Sequence, residues 1–155
     1  MKYLFYFIVS GLIVFSGCKP EPVFPVEPVL TFKEYIQNES SDSLQVVFYF
    51  TDGDGDVGVI PTATDSNLVL TLYVPDASGN FIPQDNISTP AADSIYYNYR
   101  IPQLTRSQKG VEGDIYLTVN KAFISRDTIR FNAFMLDQSQ HRSATVQTPS
   151  VILLR

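Results

Sequence analysis

From Val29 onward, apolar and polar residues alternate with a period of two, and the alternation breaks at clusters of turn-forming residues. Short strands with one buried face produce that pattern. Leu44, Val46, Phe48 and Phe50 share one face, with Gln45, Val47, Tyr49 and Thr51 on the other. The same period groups Leu68, Leu70, Leu72 and Val74, then Ile115, Leu117 and Val119, then Ile129, Phe131, Ala133 and Met135. Weaker alternation predicts strands over 29–36, 94–101 and 144–154, and Phe81-Ile82 reads as a short edge piece. Turn residues at 38–42, 52–58, 76–80, 84–93, 107–110 and 138–143 separate these segments. A period of 3.6 is not sustained anywhere, so helix is expected only as single turns, with 121–126 the best place.

Seven or eight short antiparallel strands predict an all-β fold, an immunoglobulin-like or fibronectin-type antiparallel β-sandwich. A small closed barrel is the alternative. With the main strands lettered A to G, 44–50 is B, 67–74 is C, 128–136 is F and 144–154 is G. The B–C and F–G loops of such a sandwich emerge at the same end. Composition agrees, since Val, Ile and Thr number 38 against 17 for Ala, Glu and Lys. At 45% hydrophobic and 17% charged residues the chain lies outside the range of disordered sequences. A formal charge of −5 with only 11 scattered Lys and Arg excludes nucleic acid as a partner and an anionic lipid surface as an electrostatic one.

The N-terminus predicts a compartment. Lys2 precedes an uncharged, mainly apolar run of 13 residues, Tyr3 to Phe15, which is short for a membrane span and suits a signal-peptide core. Ser16 and Gly17 follow, then Cys18, the one cysteine of the chain. The stretch Phe15-Ser16-Gly17-Cys18 resembles the lipobox of bacterial lipoproteins, with Phe15 where leucine is usual. That resemblance implies cleavage before Cys18 and acylation of its thiol. The alternatives are a secreted protein with a stray thiol and an N-terminal anchor helix. The expected organisation is thus a signal peptide at 1–17, a lipidated Cys18 with a proline-rich linker to residue 28, and a β-sandwich over 29–155. Four prolines within Lys19–Pro28 predict a semi-rigid polyproline II spacer of about 30 Å, with a disordered tether as the alternative. Acyl chains would do the anchoring, because removing residues 1–17 takes away Lys2 and no acid.

The residues with the sharpest chemistry are Asp52-Gly53-Asp54-Gly55-Asp56-Val57-Gly58. Alternate acids in a glycine-rich loop can turn several oxygens to one centre, and Ca²⁺ takes six to eight oxygens. The loop resembles the opening of Asp-x-Asp-x-Asp calcium loops. It departs from an EF-hand, because Val57 stands at the glycine position, Ala63 at the bidentate glutamate position, and strands flank it. Since the F–G corner lies at the same end, Asp137 is expected to join Asp52, Asp54 and Asp56 around one Ca²⁺. The alternative is a turn in which these acids only hydrogen-bond the local backbone.

Phe50 to Gly58, Asn67-Leu68-Val69-Leu70, Tyr99 to Thr105 and Gly110 to Ile115 together resemble a group of small Bacteroidota outer-membrane lipoproteins. The resemblance implies an outer-membrane address and carries no activity; either face of the membrane fits it. Asp137 to Ser143 is similar to the F–G corner of fibronectin-like modules. Asp42-Ser43-Leu44, Asp93-Ser94-Ile95 and Asp127-Thr128-Ile129 resemble Bacteroidota O-glycosylation acceptors, making Ser43, Ser94 and Thr128 candidate modification sites; acid-hydroxyl pairs also stabilise turns. Tyr96, Tyr97 and Tyr99 are candidate sugar- or peptide-stacking residues, with cross-strand aromatic packing as the alternative. His141, the one histidine, reads as a solvated turn residue. The pattern therefore predicts a non-catalytic, membrane-anchored binding, structural or adhesion module with an envelope protein or glycan as partner. A glycan-binding accessory lipoprotein and an acid-dependent hydrolase are the alternatives.

Overall fold

The computed structural model describes residues 23–58, 66–84, 96–102 and 110–155. Cys18, Ser94 and the signal-peptide stretch lie outside the described residues, as does the side chain of Tyr96. Among the described residues nine strands form, in chain order β1 (Val29–Gln37), β2 (Ser43–Asp52), β3 (Leu68–Pro75), β4 (Phe81–Pro83), β5 (Tyr96–Tyr99), β6 (Val111–Asn120), β7 (Thr128–Met135), β8 (Val146–Gln147) and β9 (Val151–Ile152). Every pairing between them is antiparallel.

One sheet has the order β1-β2-β6. In the other, β3 pairs β7 on one side and both β4 and β5 on the other, while β8 and β9 follow one another along the far side of β7. β1, β2 and β6 thus oppose β3, β7, β8 and β9 as the two antiparallel sheets of a β-sandwich, with β5 added beside β3. Leu44, Val46, Phe48 and Phe50 all point inward, where they meet Leu68, Leu70, Leu72, Ile129, Phe131 and Met135 in one buried cluster. Full burial of such a side chain contributes about 1.5–3 kcal/mol, so these few rows dominate the favourable side of folding. Val47 faces outward as its parity requires, yet it is buried, because it stands mid-sheet between its register neighbours Glu34 and Tyr116.

The last strand departs from expectation by dividing in two. At the break, Thr148 inserts its hydroxyl into the β7 ladder: Oγ1 accepts from Phe131 N at 2.8 Å and donates to Phe131 O at 3.2 Å. Tyr35 of β1 donates its hydroxyl to Thr148 Oγ1 at 2.5 Å and to Pro149 O at 2.9 Å, tying the two sheets at this point. Pro149 supplies no donor, so a continuous ladder could not run through it.

The strand directions define two poles. β1 enters, β2 ends, β3 begins and β7 ends at one, here called the apex; β1 ends, β7 begins and β9 ends at the base. The helical turn expected near 121–126 is a 3₁₀ turn at Lys121–Phe123, at the base. Lys121 is buried there, its ammonium donating to Asn38 O at 3.1 Å and Leu154 O at 2.5 Å, which satisfies an otherwise costly buried charge. The acceptor-like residues Ser43 and Thr128 open β2 and β7 at this same pole, both half-buried.

Part of the proline-rich stretch is packed. Pro28 is buried, and at Gly53 a Cβ would fall 2.4 Å from the carbonyl oxygens of both Phe24 and Pro25. Only glycine leaves room for that crossing. Gly110 makes a second such bed, since its Cβ would lie 2.8 Å from the Phe24 ring and 2.7 Å from Asp52 O.

Candidate metal centre

The apex gathers the four acids singled out in the sequence. Asp52 is the last residue of β2, Asp54 and Asp56 lie in the loop beyond it, and Asp137 follows the end of β7. One carboxylate oxygen from each lies within 4.8 Å of the others. Asp52, Asp56 and Asp137 are buried and Asp54 half-buried. Gly55 at φ 70° and Gly58 at φ 103° occupy the left-handed region, which lets the loop fold back on itself.

Local hydrogen bonds satisfy part of this charge. Asp52 Oδ2 accepts from Asp56 N at 3.0 Å. Asp56 Oδ2 accepts from Ser139 N at 3.1 Å and from Ser139 Oγ at 2.7 Å, and Asp56 O accepts from Gln138 N at 3.2 Å. These bonds sew the B–C loop to the F–G loop. Asp137 Oδ1 accepts from His141 N at 2.7 Å, and its Oδ2 meets His141 Nδ1 at 2.7 Å. Asp52 Oδ1, Asp54 Oδ1 and Asp56 Oδ1 are buried with no hydrogen-bond partner among the described residues.

A pure turn of the kind weighed above would spend its carboxylates on backbone donors. Here each of three acids keeps one buried oxygen unspent, in a place where carboxylates repel. Two unit charges 4.8 Å apart, the upper limit of these separations, cost about 3 kcal/mol at an effective dielectric of 20. Burial, and then the charge of Asp54, push the Asp52 carboxyl up to about 6, with Asp56 and Asp137 adding to the effect and the Asp56 N–H opposing it.

Size and ligand type narrow what the site can hold. Oxygens on opposite sides of Ca²⁺ stand about 4.6–5.2 Å apart, so a set confined within 4.8 Å is compatible with a calcium shell. An all-oxygen set disfavours zinc and copper, which prefer imidazole and thiolate.

His141 and Ser139 join the site although the sequence marks neither. His141 is not simply solvated: it is half-exposed but held on Asp137, whose hydrogen bond raises the imidazole pKa above its ordinary value. Both residues reach the site through a tight F–G turn in which Gln140 adopts φ 68°, a conformation with no strong signature in Gln-Ser-Gln-His.

Of the three tyrosines, the two with described side chains, Tyr97 and Tyr99, pack against the core. Tyr97 stacks edge-on to Phe131 at 6.4 Å, and Tyr99 lies against the core with its hydroxyl donating to Thr118 O at 2.8 Å. Burial raises both phenols, Tyr99 to about 12. Among the described residues no helix is long and apolar enough to cross a membrane. Compared with protein-family models, curated proteins and solved structures, the chain matches none.

Proposed function

We propose that the protein is a lipid-anchored, non-catalytic module of the bacterial outer membrane, displaying its sandwich to an envelope protein or glycan, with its apex stiffened by one Ca²⁺. The observation that carries the calcium reading is the pair Asp52 and Asp56, each at most 2% exposed and each keeping one buried oxygen without a partner among the described residues, in a cluster where every acid offers an oxygen within 4.8 Å of the others. Asp52, Asp54, Asp56 and Asp137 would hold the ion, which supplies positive charge and rigidity and no chemistry.

Affinity in the range of extracellular modules, about 10⁻⁴–10⁻³ M, fits a site whose ligands come from two loops. Calcium at about ten times its dissociation constant then stabilises the fold by about 1.4 kcal/mol. The melting temperature should rise by roughly 5 °C between EDTA and calcium. In Asp54→Asn the rise should shrink or vanish. Equal melting temperatures for wild type in the two buffers, with no heat of binding by calorimetry, would leave the acids as a turn.

The anchor rests on Lys2, the uncharged run Tyr3 to Phe15 and Cys18, together with the lipoprotein resemblance. Wild-type protein expressed in a lipoprotein-processing host should partition into detergent and lack residues 1–17. Cys18→Ala should lose the acyl mass. If both proteins partition alike and keep residues 1–17, the anchor is not a lipid on Cys18.

A further inference from the structure

We infer that the segment Phe24–Glu27 is a strap across the ion site, so that docking of the tether and binding of calcium form one linked equilibrium. The inference rests on the calcium reading above and adds to it a role for residues before the first strand. Its basis is the bed on which the strap lies. Gly53 sits between two of the four acids, and the carbonyl oxygens of Phe24 and Pro25 approach it so closely that a Cβ there would meet both at 2.4 Å. The Phe24 ring rests over Gly110, whose own neighbour is the carbonyl of Asp52. Two glycines 57 positions apart thus leave room for the same crossing, one of them inside the acidic loop.

Electrostatics fixes the sign of the coupling. Carbonyl oxygens are the negative ends of peptide dipoles, and those of Phe24 and Pro25 lie against Gly53, between two of the acids; the strap also carries the Glu27 carboxylate. Without a cation, these negative groups stand against a loop of uncompensated carboxylates, which opposes docking. Ca²⁺ cancels two of the four carboxylate charges, so the repulsion is reduced and docking is favoured relative to the ion-free apex. Linkage is reciprocal, so whatever factor calcium adds to strap docking, the docked strap adds to calcium affinity. Through this equilibrium the ion fixes where, and at what angle, the tether leaves the domain.

Hydrogen exchange at Phe24, Val26 and Glu27 reads the strap, and calorimetry reads calcium independently. In wild type, saturating Ca²⁺ should slow exchange at these three amides about fivefold or more relative to EDTA. Gly53→Ala removes no carboxylate but places a methyl group under the strap. It should show fast exchange at these amides in both buffers and bind calcium more weakly by a matching factor. Phe24→Ala lies outside every strand and should repeat this result if Gly53→Ala fails to fold. Calcium heat in wild type with unchanged strap exchange, or wild-type affinity in both variants, would overturn the strap and leave the calcium site standing. Absence of calcium heat in wild type would overturn the site itself and the strap with it.

Discussion

Truncating Phe131 to alanine should destabilise the domain by about 3–5 kcal/mol, the largest loss expected from any single substitution here. Its ring is fully buried in the middle of β7, 6.4 Å from Tyr35 of the opposite sheet and 6.4 Å from Tyr97 of β5. Its backbone also receives both the amide and the hydroxyl of Thr148. A cavity there would loosen the aromatic bridge between sheets and the Thr148 junction together. Against a typical total stability of about 5–15 kcal/mol, that loss would leave many domains of this size partly unfolded at growth temperature. Urea unfolding checks it: the midpoint should fall sharply with an unchanged m-value, and Phe131→Leu should recover most of the loss. A drop below about 1 kcal/mol in Phe131→Ala would mean that the core collapses into the space, contrary to the packing described.

The second large effect is one of opposite signs. Asp52 has an ordinary pKa of 3.8 and is pushed to about 6 in the fold. Between those values the native state binds more protons than the unfolded chain, so the Asp52 contribution to stability falls as pH rises from about 4 to 6. The rise in pKa corresponds to at most about 3 kcal/mol by pH 7, and to less where water screens the apex. A cation reverses the sign, because it favours the ionised form. Asp52→Asn should therefore be more stable than wild type in EDTA at pH 7, by up to about 3 kcal/mol, and the advantage should fade below pH 4. With saturating calcium the same variant should be less stable than wild type. Melting curves at several pH values, each with and without calcium, give the four comparisons needed. A variant that is less stable in both buffers would show that Asp52 is held by its hydrogen bonds alone and is not a strained ligand.

The strands were legible because burial on one face imposes a period of two, and Leu44 through Phe50 or Ile129 through Met135 cannot satisfy it in another register. The three loop acids were legible for a chemical reason, alternate carboxylates separated by glycine. Asp137 came from topology, once strands B, C, F and G had been assigned. What escaped was non-local. Gly53 and Gly110 read as ordinary loop glycines until the segment that crosses them is seen, and proline-rich Phe24–Pro28 reads as a spacer because nothing local tells a docked polyproline stretch from a free one. His141 and Ser139 escaped because their positions depend on a single left-handed residue, Gln140. Thr148 reads as a strand residue by propensity, whereas its hydroxyl substitutes for a backbone group in the β7 ladder.

The two poles have a mechanical meaning. The chain enters the sandwich at the apex, at Val29, and leaves it at the base, at Ile152, so the first and last strands run in the same sense through opposite sheets. Hydrogen bonds of an antiparallel pair lie perpendicular to the strands. Tension applied between an anchor before Val29 and a load beyond Ile152 would therefore act along β1 and β9 and load their ladders in shear. Rungs strained together resist far more force than rungs opened one after another from an end. A module tethered at its apex and gripped at its base would hold under pull, and a strap docked on the apex would let go before the first ladder did.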